Sequence, residues 1–214
     1  MEEGDERAAK GFWVASLESL TPPLSIWRGS PNSNTMKTGT LIKIAIVGPE
    51  SSGKTFLAEN LAAHYNCLWV PEYARGYLEK FTQPYTQADV EIIAKGQIKT
   101  EDSAAAQSAS HPERSRRMLI CDTNLLVIKI WMEDKYGNTL KWIEEEIMRR
   151  KYHLHLLTAP DIPYADDPLR ENPERGEYFF EKYEQLLLEL KLPYKIISEK
   201  KRVETAIEEI GKLI

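Results

Sequence analysis

The sequence predicts an α/β domain of three layers, in which a five-stranded parallel sheet is covered by helices on both faces. From residue 41 onwards, short apolar runs alternate with segments of helical periodicity, which is the pattern of βαβ units. The runs are nearly continuously apolar, as expected for strands that are buried on both faces. A chain of 214 residues suffices for one such domain together with a tail.

The five predicted strands each have a local basis. The first, residues 41–47, is rich in isoleucine and ends at a glycine and a proline. The other four are shorter apolar runs bounded by polar or turn-forming residues. They are predicted at residues 67–70, 118–121, 153–157 and 194–197.

Seven segments between and after these strands have helical character. Apolar residues three or four positions apart mark the first, and Thr86 is a suitable N-cap because Asp89 follows three positions later. Trp131 and Trp142 lie at helical spacing among apolar neighbours and are expected in the core. The predicted helices are residues 54–65, 75–81, 87–104, 124–135, 140–151, 177–190 and 201–214.

Two segments depart from the regular alternation. Residues 1–40 begin with an acidic stretch and contain proline-rich turns, so we expect an N-terminal extension that is disordered or loosely packed, with a functional arm as the alternative. The working protein could begin at Met36, and the domain proper spans residues 41–214. Residues 103–117 are rich in alanine and serine and then basic, which predicts a loop insertion.

The basic end of this insertion contains three arginines and a histidine. It is interpreted as a solvated surface loop, and a contact with phosphate or another polyanion is the alternative. The residues are His111, Arg114, Arg116 and Arg117.

Composition excludes several classes of protein. The chain has 28 Lys and Arg against 33 Asp and Glu, a net charge of −5, which argues against a dedicated nucleic-acid binder. No apolar run approaches the length of a membrane span. Cys67 and Cys121 lie in apolar runs, so they are expected to be buried, reduced thiols of a cytoplasmic protein.

The most specific motif is GPESSGKT at residues 48–55, which we call the phosphate loop. It follows a predicted buried strand and opens an amphipathic helix, which is the context that a Walker A sequence requires. Glycines let successive backbone N–H groups turn towards phosphate oxygens, with the positive end of the helix behind them. A nucleoside triphosphate is therefore expected on Gly48, Glu50, Ser51, Ser52, Gly53, Lys54 and Thr55.

Two acids follow neighbouring strands and are predicted to face the same crevice. Asp122 is expected to hold Mg²⁺ together with Thr55, or to orient an acceptor, and a helix-capping role is the alternative. Glu72 is expected to accept the proton of an attacking hydroxyl, or else to complement a helix dipole as an acid of the first turn. Tyr73 and Arg75 are candidates for contact with a substrate ring or ribose.

A proline-rich segment at residues 158–176 cannot form one continuous helix and is predicted to be a lid. Arg170 and Arg175 are expected to close over the transferred phosphoryl group. Asp166 and Asp167 could bind a substrate instead, and a solvated charged loop is the remaining alternative.

These stretches together resemble the nicotinamide riboside kinase domain of NadR-type proteins, within the AAA-type P-loop group. The resemblance runs from residue 41 to 214, with departures at Gly76 and in the 103–117 insertion. The matching pieces are residues 48–55, 71–75, 96–97, 121–123, 166–170 and 192–194. It implies ATP-dependent phosphorylation of the 5′-hydroxyl of nicotinamide riboside, on the sheet of nucleoside and nucleotide kinases.

The functional prediction is therefore a small-molecule kinase that uses ATP and Mg²⁺ and acts on a nucleoside. Its predicted catalytic residues are Lys54, Glu72, Asp122, Arg170 and Arg175. One alternative is a P-loop ATPase that acts as a regulatory or switch module, and another is a kinase for a different nucleoside. The sequence leaves the oligomeric state open, a homo-oligomer included.

Overall fold

The computed structural model describes residues 41–81, 84–110, 117–164, 171–172 and 174–214. The predictions on other residues lie outside this part of the chain: they concern residues 1–40, His111, Arg114, Arg116, Asp166, Asp167 and Arg170. The strands are β1 (Ile42–Val47), β2 (Leu68–Val70), β3 (Met118–Asp122), β4 (Leu154–Thr158) and β5 (Tyr194–Ile197). The helices are α1 (Lys54–Tyr65), α2 (Tyr73–Leu78), α3 (Gln87–Ala109), α4 (Leu125–Tyr136), α5 (Lys141–Arg149), α6 (Gly176–Glu189) and α7 (Arg202–Gly211).

The strands form one parallel sheet with the order β2-β3-β1-β4-β5. The predicted five-stranded parallel sheet is confirmed. Because β1 is central, the loop that follows it has the ends of β3 and β2 on one side and the ends of β4 and β5 on the other. Ile46 of β1 lies opposite Asp122 of β3, so Asp122 stands at the edge from which the phosphate loop leaves.

Successive side chains of β1 point to opposite faces of the sheet, and different helices cover the two faces. Ile42, Ile44 and Ile46 belong to the apolar layer beneath α1 and α7, whereas Val47 belongs to the layer beneath α3, α4 and α6. Ile44 and Ile46 are fully buried. Burial of an isoleucine side chain contributes about 1.5–3 kcal/mol, so the central strand is a main source of stability. No helix in the described ranges is both long and apolar enough to cross a membrane.

Helix α3 differs from its prediction. It continues to Ala109, so the part of the predicted 103–117 insertion from residue 103 to 109 is helical, and the prediction of a loop there is wrong. Alanine has the highest helix propensity, which favours this extension, and the Ser103 hydroxyl finds its hydrogen-bond acceptor inside the helix, the Lys99 carbonyl at 2.9 Å. The predicted Thr86–Asp89 capping box is present.

A buried ionic cluster ties α3 to the amino-terminal edge of the sheet. Glu101 is 2% exposed and pairs with Lys43 of β1 and with Arg150, whose Nη1 lies 3.1 Å from Oε1. The Tyr152 hydroxyl donates to Glu101 Oε2 at 2.6 Å, and Arg150 also holds Asp102. Removing one partner from such a cluster leaves an uncompensated buried charge, so the loss of any one of these residues is expected to destabilise the end of the sheet far from the phosphate loop.

Candidate active site

The backbone of the phosphate loop depends on two glycines. Gly48 has φ 144° and Gly53 has φ 79°, conformations that residues with a Cβ rarely adopt. A Cβ on Gly48 would lie 2.4 Å from Thr158 Oγ1, so β4 leaves no room for a side chain there. The motif therefore needs glycine at position 48 for both conformation and space.

Ser52 holds the loop against β4. Its hydroxyl donates to the Pro49 carbonyl at 2.7 Å and lies 2.6 Å from Thr158 Oγ1, which in turn bonds the Val47 carbonyl at 3.2 Å. Ser52 and Thr158 are fully buried. These contacts hold the Ser52 side chain and fix the curvature of the loop from within.

Lys54 lies over the loop that precedes it. Its ammonium donates to the Pro49 carbonyl at 2.7 Å and to the Gly48 carbonyl at 3.1 Å. Gly53, the N-cap residue of α1, offers no side-chain cap to the helix, so the first N–H groups of α1 are suited to an anion. Phosphate oxygens are stronger acceptors than neutral carbonyls, so Lys54 can replace its hydrogen bonds to these carbonyls with bonds to a phosphate group.

Thr55, in the first turn of α1, is in contact with Asp122, the last residue of β3. Thr55 Oγ1 donates to Asp122 Oδ2 at 2.6 Å, and the Asp122 side chain is almost fully buried. Burial raises the pKa of Asp122 to about 6, against the opposing effects of the Thr55 hydrogen bond and the Lys54 charge. Asn124, not Asp122, caps α4 through a 3.0 Å bond to the Leu126 N–H, so the capping alternative for Asp122 is wrong.

The donor set at this point fits Mg²⁺. A hydroxyl and a carboxylate are the oxygen ligands that this cation prefers, and Asp122 Oδ1 is buried without a hydrogen-bond partner among the described residues. An unsatisfied buried carboxylate oxygen is costly unless a ligand uses it. Thr55 and Asp122 are therefore the residues that would hold the metal.

Glu72 follows β2 and faces the same crevice as the phosphate loop. It occupies the N-cap position of α2, but its side chain makes no capping hydrogen bond. Instead it lines the cleft described below, where its charge adds to the rise in the pKa of Asp122. The two predicted carboxylates are thus brought together.

The position of Glu72 depends on α3. Gln97 Oε1 accepts from the Tyr73 N–H at 2.8 Å, which anchors the first turn of α2. A Cβ on Gly96 would lie 2.3 Å from the Tyr73 ring, so the ring rests directly on the α3 backbone. These contacts give Gly96 and Gln97, two of the residues on which the resemblance rests, a structural role beside Glu72. Of the two candidates for substrate contact, Arg75 lines the cleft, whereas the Tyr73 ring lies against α3.

A cleft of about 550 Å³ extends from the phosphate loop past Glu72 to α4 and α6. Its far part is lined by aromatic and aliphatic side chains. They are Leu78, Tyr85, Val127, Ile130, Trp131, Phe179 and Tyr183. A volume of this size is typical of small-molecule sites, and aromatic faces suit a planar ring.

Sequence reasoning missed the aromatic end of this cleft. Trp131, expected in the core, is half-buried, and its Nε1 donates to the Tyr85 hydroxyl at 2.9 Å. That hydroxyl donates to Glu171 at 2.7 Å, and Lys135 pairs with Glu171 while lying 3.7 Å from the Tyr85 ring centre. The spacing of Val127, Trp131 and Asp134 indicates that they share one face of α4. The sequence does not indicate that this face lines the cleft.

Arg175 lies at the end of the predicted lid and lines the cleft. Its guanidinium forms a bidentate pair with Asp134 of α4 at 2.5 and 2.7 Å and lies over the rings of Tyr178 and Phe179. This hydrogen-bonded pairing lowers the pKa of Asp134. Arg175 therefore joins α4 to the start of α6 in this structure, and its role over the phosphoryl group stays a prediction.

Glu50 joins the phosphate loop to the second part of the predicted lid. Its Oε2 accepts from the N–H groups of Glu171 at 3.1 Å and Asn172 at 3.0 Å. Burial raises the pKa of Glu50, although these two N–H groups oppose the rise. Thus the side chain of Glu50 holds the segment before α6, while its backbone belongs to the loop.

Comparisons with solved structures support this architecture. A NadR protein in complex with NR is 23% identical, with a TM-score of 0.66 over 80% of this chain and 51% of that one. A NadR complex with NAD and AMP-PNP is 21% identical, with a TM-score of 0.62 over 80% and 49%. Thymidylate kinase from Ehrlichia chaffeensis is 12% identical, with a TM-score of 0.52 over 80% and 97%.

The chain spans about half the length of the NadR chains that it matches. The likeness confirms the predicted fold, that of P-loop nucleoside and nucleotide kinases, and the resemblance to NadR-type proteins at the level of fold. A family model described as an AAA domain matches residues 43–205. This chain belongs to that AAA-domain family.

Proposed function

We propose that this protein is an ATP-dependent kinase that phosphorylates a hydroxyl group of a nucleoside, and that nicotinamide riboside is the first acceptor to test. The observation that carries the proposal is the position of Glu72. Its charge acts on Asp122, and it lines the cleft that runs from the phosphate loop to the aromatic side chains. A simple ATPase has no need for a cleft that continues from its phosphate loop past an acid to a set of aromatic side chains.

In the proposed reaction, the acceptor hydroxyl oxygen attacks the γ-phosphorus of ATP, the bond to the β–γ bridging oxygen breaks, and ADP leaves. Glu72 receives the hydroxyl proton, because Asp122 is already bonded to Thr55. Glu72 follows an edge strand and faces the cleft, from which the acceptor would approach.

Charge neutralisation is supplied mainly by the phosphate loop. Lys54 exchanges its carbonyl partners for phosphate oxygens, and the N–H groups at the start of α1 face the same anion. When bound, Mg²⁺ on Thr55 and Asp122 supplies further positive charge to the β- and γ-phosphates. Positioning and charge therefore account for most of the expected catalysis.

The choice of acceptor rests on the aromatic end of the cleft and on the similarity to NadR folds, one of which is described with NR. The pyridinium ring of nicotinamide riboside is planar and cationic, and both properties favour contact with tryptophan and tyrosine faces. Trp131 offers such a face in the cleft, beside Tyr85, whose own ring is already in contact with the Lys135 ammonium.

The test is ADP release from ATP and Mg²⁺, measured with and without nicotinamide riboside and beside a panel of common nucleosides. Stimulation by nicotinamide riboside alone supports the proposal. Stimulation by another nucleoside supports the kinase activity and identifies a different acceptor. Slow turnover that no acceptor stimulates would favour the regulatory or switch ATPase.

A further inference from the structure

A buried arginine at the start of α7 contacts the underside of the phosphate loop. Arg202 is 8% exposed, and its Nη1 donates to the Ser52 carbonyl at 3.0 Å. Its Nη2 donates to the Ala159 carbonyl at 2.9 Å and pairs with Asp161. Asp161 also accepts from the Glu199 N–H. One guanidinium thus ties together the loops that follow β1, β4 and β5.

We propose that Arg202 is a positioning residue for nucleotide binding: it orients the Ser52–Gly53 peptide so that the Gly53 N–H faces the polyphosphate. This proposal rests on the nucleotide-binding part of the proposed function. In a trans peptide, the carbonyl of one residue and the N–H of the next point in opposite directions. A donor that holds the Ser52 carbonyl from below therefore directs the Gly53 N–H to the upper, ligand-binding side.

The other contacts of Ser52 leave this peptide dependent on Arg202. The Ser52 hydroxyl fixes the side chain against Pro49 and Thr158, but it does not bond the carbonyl. The next residue, Gly53, has positive φ and no Cβ, so the backbone on that side offers little resistance to rotation. Without the guanidinium, the Ser52 carbonyl would lose this donor and the peptide would lose an anchor.

The cost of burying this charge also indicates a specific role. Asp161 is the acid paired with Arg202, and Arg202 Nε is buried without a hydrogen-bond partner among the described residues. The Asp161 side chain is 34% exposed, so a buried guanidinium is paired with a partly solvated carboxylate, and such a pair contributes little net stability. We infer that Arg202 contributes geometry more than stability, because its planar guanidinium can hold the carbonyls of two different loops in a fixed relation.

Arg150 provides a matched control. Counting side-chain atoms alone, Arg150 is 8% exposed and Arg202 is 10% exposed, and Arg150 likewise pairs with carboxylates, those of the buried Glu101 and the exposed Asp102. However, it belongs to the Glu101 cluster at the amino-terminal edge of the sheet, away from the phosphate loop. Loss of either arginine is expected to lower the melting temperature, whereas only loss of Arg202 is expected to weaken nucleotide binding.

The experiment measures the Kd for AMP-PNP with Mg²⁺ by calorimetry, well below each variant's melting temperature. We expect Arg202→Met to raise the Kd by about 10-fold or more, the size of one lost hydrogen bond to a charged group. Arg202→Lys should restore part of the affinity, because one ammonium can reach one carbonyl but cannot reproduce the planar fork. Arg150→Met should leave the Kd within about 2-fold of wild type.

A folded Arg202→Met protein with wild-type affinity would overturn the proposal, as would an equal loss of affinity in Arg150→Met. Should Arg202→Met fail to fold, Arg202→Lys decides: a raised Kd supports the role and an unchanged Kd overturns it. A wild-type chain that binds no AMP-PNP overturns both proposals. Binding of AMP-PNP without phosphorylation of any nucleoside overturns the proposed kinase function and leaves the role of Arg202 in nucleotide binding intact.

Discussion

Thr55 Oγ1 donates a 2.6 Å hydrogen bond to Asp122 Oδ2, which joins the start of α1 to the end of β3. The two residues are 67 positions apart in the sequence. They meet because β1 and β3 are neighbours in the sheet with Ile46 opposite Asp122. The contact assembles a hydroxyl and a carboxylate beside the phosphate loop, and Glu72 approaches them from β2.

Replacement of Lys54 by alanine should lower kcat by about 100- to 1000-fold, because a preorganised positive charge on the transferred phosphoryl group is lost. The fold should survive, since the Lys54 ammonium bonds only the carbonyls of its own loop among the described residues. Steady-state ADP release and a thermal melt measure both effects. Lys95→Ala, an exposed surface change on α3, is the control. A Lys54→Ala enzyme with wild-type turnover would contradict the role of the loop.

Asp122→Asn should stabilise the free protein at pH 8 while abolishing most activity. The folded-state pKa of Asp122 is raised to about 6, above its unfolded value, because burial penalises the charged form. Well above pH 6 the folded protein therefore bears the full penalty, on the order of 3 kcal/mol. As the pH falls from 6 towards 4, protonation removes the penalty, so the advantage of the variant should disappear.

Melting temperatures of wild type and Asp122→Asn between pH 4.5 and pH 8 test this prediction. The comparison cancels contributions from other titrating groups that both proteins share. A difference that is independent of pH would show that Asp122 does not titrate in this window.

Gly96→Ala should impair catalysis from a distance. The added methyl group would lie 2.3 Å from the Tyr73 ring, so the ring must be displaced, and we expect this to disturb the first turn of α2, where Glu72 is the N-cap residue. We expect a loss in kcat of about 10-fold or more, since small misplacements of catalytic groups are costly. Kinetics with saturating ATP and acceptor measure it.

Gly76→Ala is the matched control for this change. Gly76 lies in α2, and a Cβ there meets no atom within 4 Å. Alanine in a helix is favoured over glycine by about 0.5–1 kcal/mol, so this variant should be slightly more stable and fully active. If Gly96→Ala were equally active, the coupling of α3 to Glu72 through Tyr73 would be refuted.

Trp131→Ala should raise the KM for the acceptor by about 10-fold with little change in the KM for ATP, because one aromatic face of the cleft is removed. Trp142→Ala, in α5 and away from the cleft, separates this effect from a general loss of packing. Initial rates against each substrate give the two KM values. A rise confined to the KM for ATP would contradict the assignment of the aromatic end to the acceptor.

Local sequence determined much of the architecture. The isoleucines of β1 predicted a buried strand because their burial is favourable in any parallel sheet. The glycines and lysine of the phosphate loop predicted an anion site because their conformations and charge follow from residue type alone. The helix that ends at Ala109 shows the limit of this reasoning, since an alanine-rich segment can be helix or linker until its neighbours are known.

Only the tertiary structure decided which side chains share the site. Helical spacing groups Val127, Trp131 and Asp134 on one face of α4, but the turn of that face towards the cleft depends on how α4 packs against the sheet and α6. The contact of Arg202 with Ser52 spans 150 residues and has no signature in either segment. Such contacts arise because the carboxyl ends of parallel strands converge at one edge, and strand order, which local sequence does not encode, determines which loops meet there.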